Sequence, residues 1–366
     1  MRVMSIVGTR PEMIKMSEII KKLDRFTEHI FIHTGQNYDY ELSEIFYKDL
    51  GLRRPDHILD VAGDSLGETL GSVMFEAEKM LQLYEPDAVV ILGDTNSALA
   101  GIIAKRRKIP LFHLEAGNRC FDDNVPEEIN RRILDHIADV NMVYTQGQRL
   151  YLRDEGISKD RIFVMGSPMK EVLSRHRNQI SDCRVLSDLE LEPQQYFLVS
   201  IHRDENVEID DNLEELIITL AQIRRKYKLP IIVSTHPRLK NKLVDADVTD
   251  VEGIEFMPPF GFIDYIKLQL NAKCVISDSG TIAEESSILG FPAITIRNAI
   301  ERAEAIDTGS ILMTGVDSTN IMDCLRIVQP PTTIPVDYDV DNCSERVLKV
   351  ILGYTDYVNR YVWRKR

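Results

Sequence analysis

The chain has 366 residues, 44% hydrophobic and 28% charged, and carries a formal net charge of -14. That is a globular composition with apolar material for more than one core. It holds no long Lys/Arg block that could follow a nucleic-acid backbone or an anionic membrane, so no nucleic-acid partner is expected. The five cysteines (Cys120, Cys183, Cys274, Cys324, Cys343) show no CxxC and no metal-type Cys/His spacing. No metal site is expected, and a reducing cytoplasm fits this usage. No apolar stretch reaches membrane-spanning length and the first residues run straight into strand-like sequence, so a cytoplasmic protein without membrane insertion is expected.

In chain order, short Val/Ile-rich runs alternate with longer segments of helical period, the pattern of βα units around a parallel sheet buried on both faces. The first set of expected strands covers 2–7, 29–34, 88–93, 110–115, 140–145 and 161–166. From Lys170 to Gln195 the chain turns polar and strand-poor, which reads as a linker. Strand-like runs resume at 196–201, 230–235, 273–278 and 292–297 and indicate a second α/β domain. From about Cys343 the sequence reads as a tail helix. The expected division is therefore an N-terminal Rossmann-like domain at 1–170, a second at 171–345, and a C-terminal helix at 346–366 packing back on the first. Open parallel sheets bind ligands at the carboxyl ends of their strands, where helix N-termini present unpaired N–H groups.

After the first strand comes Gly8-Thr9-Arg10-Pro11-Glu12 and a helix containing Lys15. Arg10 and Lys15 are suited to neutralise a departing phosphate. This turn is not GxGxxG, so a nicotinamide cofactor is not expected. Asp94 follows the strand ending at Gly93 and reads equally as a functional carboxylate or an N-cap. Glu115 ends a strand written largely in apolar letters, where a carboxylate must be paired or functional. It reads as an acid/base group or as the partner of Arg119 or Arg131. Glu127 and Glu128 lie near a helix start, where acidic residues also favour the macrodipole. His202 and His236 stand at strand tips of the second domain. Asp278-Ser279-Gly280, followed by a helix with Glu284 and Glu285, is suited to a diphosphate at the helix N-terminus and a ribose one turn later.

Taken together, GTRPE, HTGQNYDY (33–40), LGDTNS (92–97), HLEAGNR (113–119), PEEINR (126–131), HRDEN (202–206), DSGTIAEE (278–285) and Glu301-Arg302 resemble the non-hydrolysing UDP-N-acetylglucosamine 2-epimerase family over nearly the whole chain. The resemblance implies two Rossmann-like domains with parallel sheets around a deep interdomain cleft (the GT-B-like fold shared with many glycosyltransferases), a homodimer, and a UDP-activated 2-acetamido sugar as substrate, with no cofactor. It implies catalytic or active-site roles for Arg10, Lys15, Asp94, Glu115, Glu127, Arg131 and His202, UDP contacts for Ser279, Gly280, Glu285 and Arg302, and a cleft position for Gln36. Departures from the family pattern at Asn118-Arg119-Cys120-Phe121-Asp122, with GSPM at 166–169, are similar to the branch that makes UDP-N-acetyl-L-fucosamine from UDP-2-acetamido-2,6-dideoxy-L-talose. Thr281 and Asp204 replace a family Gly and Arg. A UDP-sugar glycosyltransferase is the expected rival from another class, because one fold supports both chemistries.

Overall fold

The computed structural model describes residues 1–35, 40–201, 206, 210–235, 239, 242–243 and 251–365. The chain divides into two compact units, Met1–Arg175 with Val336–Arg366, and His176–Pro335.

Among the described residues, unit 1 is built on β1 (Arg2–Val7), β2 (Glu28–His33), β3 (His57–Ile58), β4 (Ala88–Leu92), β5 (Leu111–Leu114), β6 (Val140–Val143) and β7 (Ile162–Val164). They pair in the order β3-β2-β1-β4-β5-β6-β7, all parallel. β4, written AVVIL, is buried at every position, as a strand covered by helices on both faces must be. Met4, Ile6, Val89 and Ile91 pack with Val73, Ala77 and Leu81 of the helix Leu66–Tyr84. The helix Arg10–Phe26 buries Met13, Met16, Ile20 and Leu23, whose spacing of three and four forms one apolar stripe.

The helix Cys343–Tyr357 belongs to this unit, buries Val347, Leu348 and Ile351, and packs on the helix Arg10–Phe26. Its first turn is held by Glu171, whose Oε2 accepts from Ser344 N at 2.8 Å and whose Oε1 accepts from the Ser344 hydroxyl at 2.6 Å. The units change over after Arg175 and again at Val336, where sequence had placed the divisions at 170 and 345. The second difference arises because Asp337 is tied to unit 1 by its backbone and its side chain: Ser167 N donates to Asp337 O at 2.9 Å and Gln146 N to Asp337 Oδ2 at 3.0 Å. The stretch read as a linker forms three short helices, Met169–Arg175, Arg177–Asp182 and Val185–Asp188, because Val172, Leu173, Ile180 and Val185 are buried.

Unit 2 contains β8 (Phe197–Ile201), β9 (Ile231–Thr235), β10 (Ile254–Met257), β11 (Cys274–Ser277), β12 (Ala293–Thr295) and β13 (Leu312–Met313). Their order is β10-β9-β8-β11-β12-β13, again all parallel. Phe197, Val199, Ile231, Val233 and Ile276 form its core with Leu216, Leu220 and Ile223 of the helix Asp210–Tyr227. Strand order reverses between β1 and β4 in unit 1 and between β8 and β11 in unit 2, and such reversals open a crevice at the carboxyl ends of the strands. Among the described residues no helix is long and apolar enough to cross a membrane.

Candidate active site

In unit 1 the loops that leave β1 and β4 meet at this reversal. Thr9 caps the helix Arg10–Phe26 in a capping box with Glu12. Glu12 Oε2 accepts from Gly8 N at 2.6 Å and Thr9 N at 2.9 Å, while Oε1 accepts from the Thr95 hydroxyl at 2.6 Å. One carboxylate thus ties the β1 loop to the β4 loop. Burial pushes the Glu12 carboxyl up to about 7 against the pull of these three donors, and nearby Asp94 adds to the rise. Gly8 is required here, since a Cβ would lie 1.8 Å from Ser97 Oγ and 2.4 Å from Thr34 Oγ1. Those two hydroxyls bond to each other at 2.6 Å.

In the second turn of the same helix, Lys15 Nζ donates to Glu115 Oε2 at 2.6 Å, with side chains only 7% and 6% exposed. Glu115 also accepts from the Tyr144 hydroxyl at 3.1 Å and from Asn118 Nδ2 at 3.2 Å. Asn118 is in turn held by Gln148. Three donors satisfy a carboxylate that has lost nearly all its water. The Glu115 backbone is left-handed, at φ 64°, a conformation that non-glycine residues adopt rarely and that is concentrated at functional sites. Asp135 holds this turn by accepting from Gly117 N at 3.1 Å and from Arg119 at 2.7 Å. Arg119 also grips Glu155 through two bonds of 2.7 and 2.6 Å. The partner of Glu115 is therefore Lys15, and Arg119 serves the loop.

Asp94 is not the N-cap that one reading of its position allowed. Its Oδ2 accepts from Arg131 Nε at 2.8 Å and pairs with Nη2 of the same guanidinium edge at 2.6 Å. Arg131, 1% exposed, also donates to Glu128 Oε2 at 2.7 Å. Burial pushes the Glu128 carboxyl up, but the Cys120 backbone N–H and the Arg131 charge outweigh it and hold it below the usual range. Glu127, half-buried in the first turn of the helix Pro126–Ile137, has no hydrogen bond or ion pair among the described residues. Arg10 is half-buried at the helix start, 5.9 Å from the Phe46 ring centre. Gln36, His202 and His236 lie outside the described residues.

In unit 2, β11 delivers Asp278, Ser279 and Gly280 to the start of the helix Ile282–Leu289. Asp278, fully buried, accepts from Asn206 Nδ2 at 3.1 Å, and Ser279 N donates to the Ser277 hydroxyl at 3.0 Å. Glu284 accepts from Arg302 Nε at 2.6 Å, and Glu285 accepts from Gln269 Nε2 at 2.6 Å. Ser279, Gly280, Arg297 and Arg302 line one pocket within this unit. Among the described residues no group of three or more His, Cys, Asp or Glu side chains is arranged to hold a metal.

Sequence had marked Lys15, Glu115, Asp94 and Arg131, and the fold brings them to the carboxyl end of one sheet. It had not assigned roles to Glu12, Asn118 or Tyr144. Thr9-x-x-Glu12 before a helix is a readable capping box, and Tyr144 lies in the run 140–145 that was read as a strand, but nothing in the letters pairs it with Glu115.

The UDP-N-acetylglucosamine 2-epimerase family model matches residues 21–352. A solved UDP-N-acetylglucosamine 2-epimerase from Rickettsia bellii is 45% identical, with a TM-score of 0.93 and 100% of both chains covered. The UDP-N-acetylglucosamine 2-epimerase of Methanocaldococcus jannaschii is 35% identical over 338 residues, 90% of this chain and 92% of that one. Its crystal structure in complex with UDP-GlcNAc and UDP superposes with a TM-score of 0.90 at 31% identity, covering 96% of this chain and 100% of that one. The UDP-2,3-diacetamido-2,3-dideoxy-D-glucuronate 2-epimerase of Pseudomonas aeruginosa is 30% identical over 332 residues, 89% of this chain and 92% of that one. With its two GT-B-like parallel-sheet units, the chain belongs to the UDP-N-acetylglucosamine 2-epimerase family and is an enzyme of the isomerase class.

Proposed function

We propose that the protein inverts carbon 2 of UDP-2-acetamido-2,6-dideoxy-L-talose to give UDP-N-acetyl-L-fucosamine, without a cofactor, for surface polysaccharide synthesis. The observation that carries the epimerase chemistry is the pair of carboxylates at the β1/β4 reversal, Glu115 on Lys15 and Asp94 on Arg131. The L-sugar rests on the Asn118-Arg119-Cys120-Phe121-Asp122 segment and on GSPM at 166–169. UDP-N-acetylglucosamine is the second reading, favoured by the Rickettsia bellii and Methanocaldococcus jannaschii relatives, which are UDP-N-acetylglucosamine 2-epimerases.

The C2–H bond of such a sugar has no adjacent carbonyl, so direct deprotonation is prohibitive. Loss of UDP from C1 builds positive charge there and acidifies C2–H. A base takes the C2 proton, the C–H electrons form the C1–C2 double bond, and the C1–O electrons leave with UDP. The return step adds a proton to the opposite face of C2 while a UDP oxygen re-forms the C1 bond. The chemistry needs acid/base groups on both faces of C2 and cations at the leaving diphosphate. Asp94, Glu115, Glu127 and His202 are the proposed proton-transfer pool. Arg10 and Lys15 stabilise the leaving group, and Gln36 and Arg131 complete the sugar side. Ser279, Gly280, Glu285 and Arg302 hold UDP. The proposal includes a cytoplasmic homodimer, as cysteine usage and the family resemblance imply.

Proton NMR in D2O, with each UDP-sugar supplied separately and no NAD or metal added, tests this reading. Conversion of the L-talose sugar with deuterium entering C2 is expected. Conversion of UDP-N-acetylglucosamine alone returns the enzyme to the second reading. Conversion of neither, with transfer of the sugar to an added acceptor, makes it a glycosyltransferase.

A further inference from the structure

The pocket beside Ser279 and Gly280 contains a guanidinium that the reading above leaves unused. Arg297 follows β12, is 3% exposed, and donates from NH2 to Glu301 Oε1 at 2.7 Å. Glu301 also meets Arg302 NH1, at 3.5 Å, while Arg302 Nε is taken by Glu284 at 2.6 Å. The two carboxylates therefore fix two buried guanidiniums side by side. What remains of Arg297 is aimed into the pocket: a Cβ built on Gly280 would stand 3.7 Å from NH1 of Arg297 and 3.7 Å from NH1 of Arg302. That point lies at the N-terminal start of the helix Ile282–Leu289, where the helix dipole favours an anion.

Two further atoms call for a ligand. Arg297 Nε and Thr295 Oγ1 are both buried and have no hydrogen-bond partner among the described residues, and both residues line this pocket. Buried polar groups are nearly always satisfied, and an unsatisfied one is costly. A cation held by one carboxylate, with its other N–H groups facing a side-chain-free slot between a second arginine and a helix start, matches a tetrahedral oxyanion.

We propose that Arg297 is a diphosphate-binding residue that, with Arg302, grips the phosphates of the nucleotide over Gly280. Glu301 is the positioning residue that orients both guanidiniums. This inference rests on the reading of unit 2 as the UDP-binding side. Arg suits the role because its planar fork serves Glu301 on one edge and a phosphate on another, which a lysine ammonium cannot do with the same geometry.

The test is binding to the full-length protein, with UDP followed by calorimetry and uridine by NMR titration. Arg297→Gln is expected to weaken UDP by about 10- to 100-fold, the value of a charge-assisted hydrogen bond, and to leave uridine within about threefold of wild type, well under one such bond. Retained uridine binding also shows that the variant is folded. Arg297→Lys, which keeps a cation for Glu301, is expected to fall between the two proteins. Unchanged UDP affinity in either variant overturns the proposal, and so does an equal loss of UDP and uridine, which marks a packing role. A wild-type protein that binds UDP no better than uridine overturns the underlying assignment of the UDP side instead.

Discussion

Glu12 offers the sharpest physical test, because its charge and its hydrogen bonds can be separated. Its carboxyl is raised by burial from 4.5 to about 7. At 1.36 kcal/mol per pKa unit this corresponds to about 3 kcal/mol of stability linked to one proton. A carboxyl whose folded pKa is raised contributes that stability fully below its unfolded value and loses it as pH rises through the folded value. The loss therefore falls between about pH 4.5 and 7. Glu12→Gln keeps the acceptor for Gly8 N and Thr9 N, and the Thr95 hydroxyl can turn to accept from the amide. Urea unfolding of the wild type and the variant, followed by circular dichroism from pH 5 to 8.5, gives the difference directly. The variant is expected to match the wild type near pH 5 and to exceed it by up to about 3 kcal/mol above pH 8. A difference that stays flat with pH, or a variant weaker at pH 8 than at pH 5, refutes the argument that burial dominates over the three donors.

Glu115→Gln is expected to lower turnover by about 100- to 10,000-fold, the usual worth of a placed acid/base group, with UDP binding retained. Steady-state kinetics beside calorimetry checks it, and near-normal turnover removes Glu115 from the proton-transfer pool. Gly8→Ala is expected to destabilise the protein by about 1–3 kcal/mol through overpacking, because its Cβ meets Ser97 at 1.8 Å. Adding Ser97→Gly to that variant is expected to recover part of the loss in a urea midpoint.

Much of the fold was legible because central strands must be apolar on both faces. β1 occupies the expected 2–7 exactly as sequence placed it, and β4 and β8 fall within a residue of expectation. The edge strands β3, β10 and β13 were not read: they span two to four residues, and β10 and β13 are only partly buried. Short, half-wet segments carry little periodicity. At the site, individual carboxylates were visible as charges at strand tips, but their partners were not. Lys15 and Glu115 stand 100 residues apart, and only the strand order 1-4-5 brings their loops together. Glu284 and Glu285 stood out as paired carboxylates near a helix start, but the letters do not pair Glu285 with Gln269, which comes from the helix Phe262–Asn271.

The return of the chain into unit 1 bears on its synthesis. Unit 2 is a continuous stretch, His176–Pro335, whereas unit 1 needs Val336–Arg366 to be complete. On the ribosome the later-made unit can close first, while the apolar side of the helix Arg10–Phe26 waits for Val347, Leu348 and Ile351 to emerge. Until then Glu171 has no Ser344 to cap. Until that segment is made the nascent protein carries an uncovered apolar surface, a natural site for a chaperone that shields hydrophobic segments.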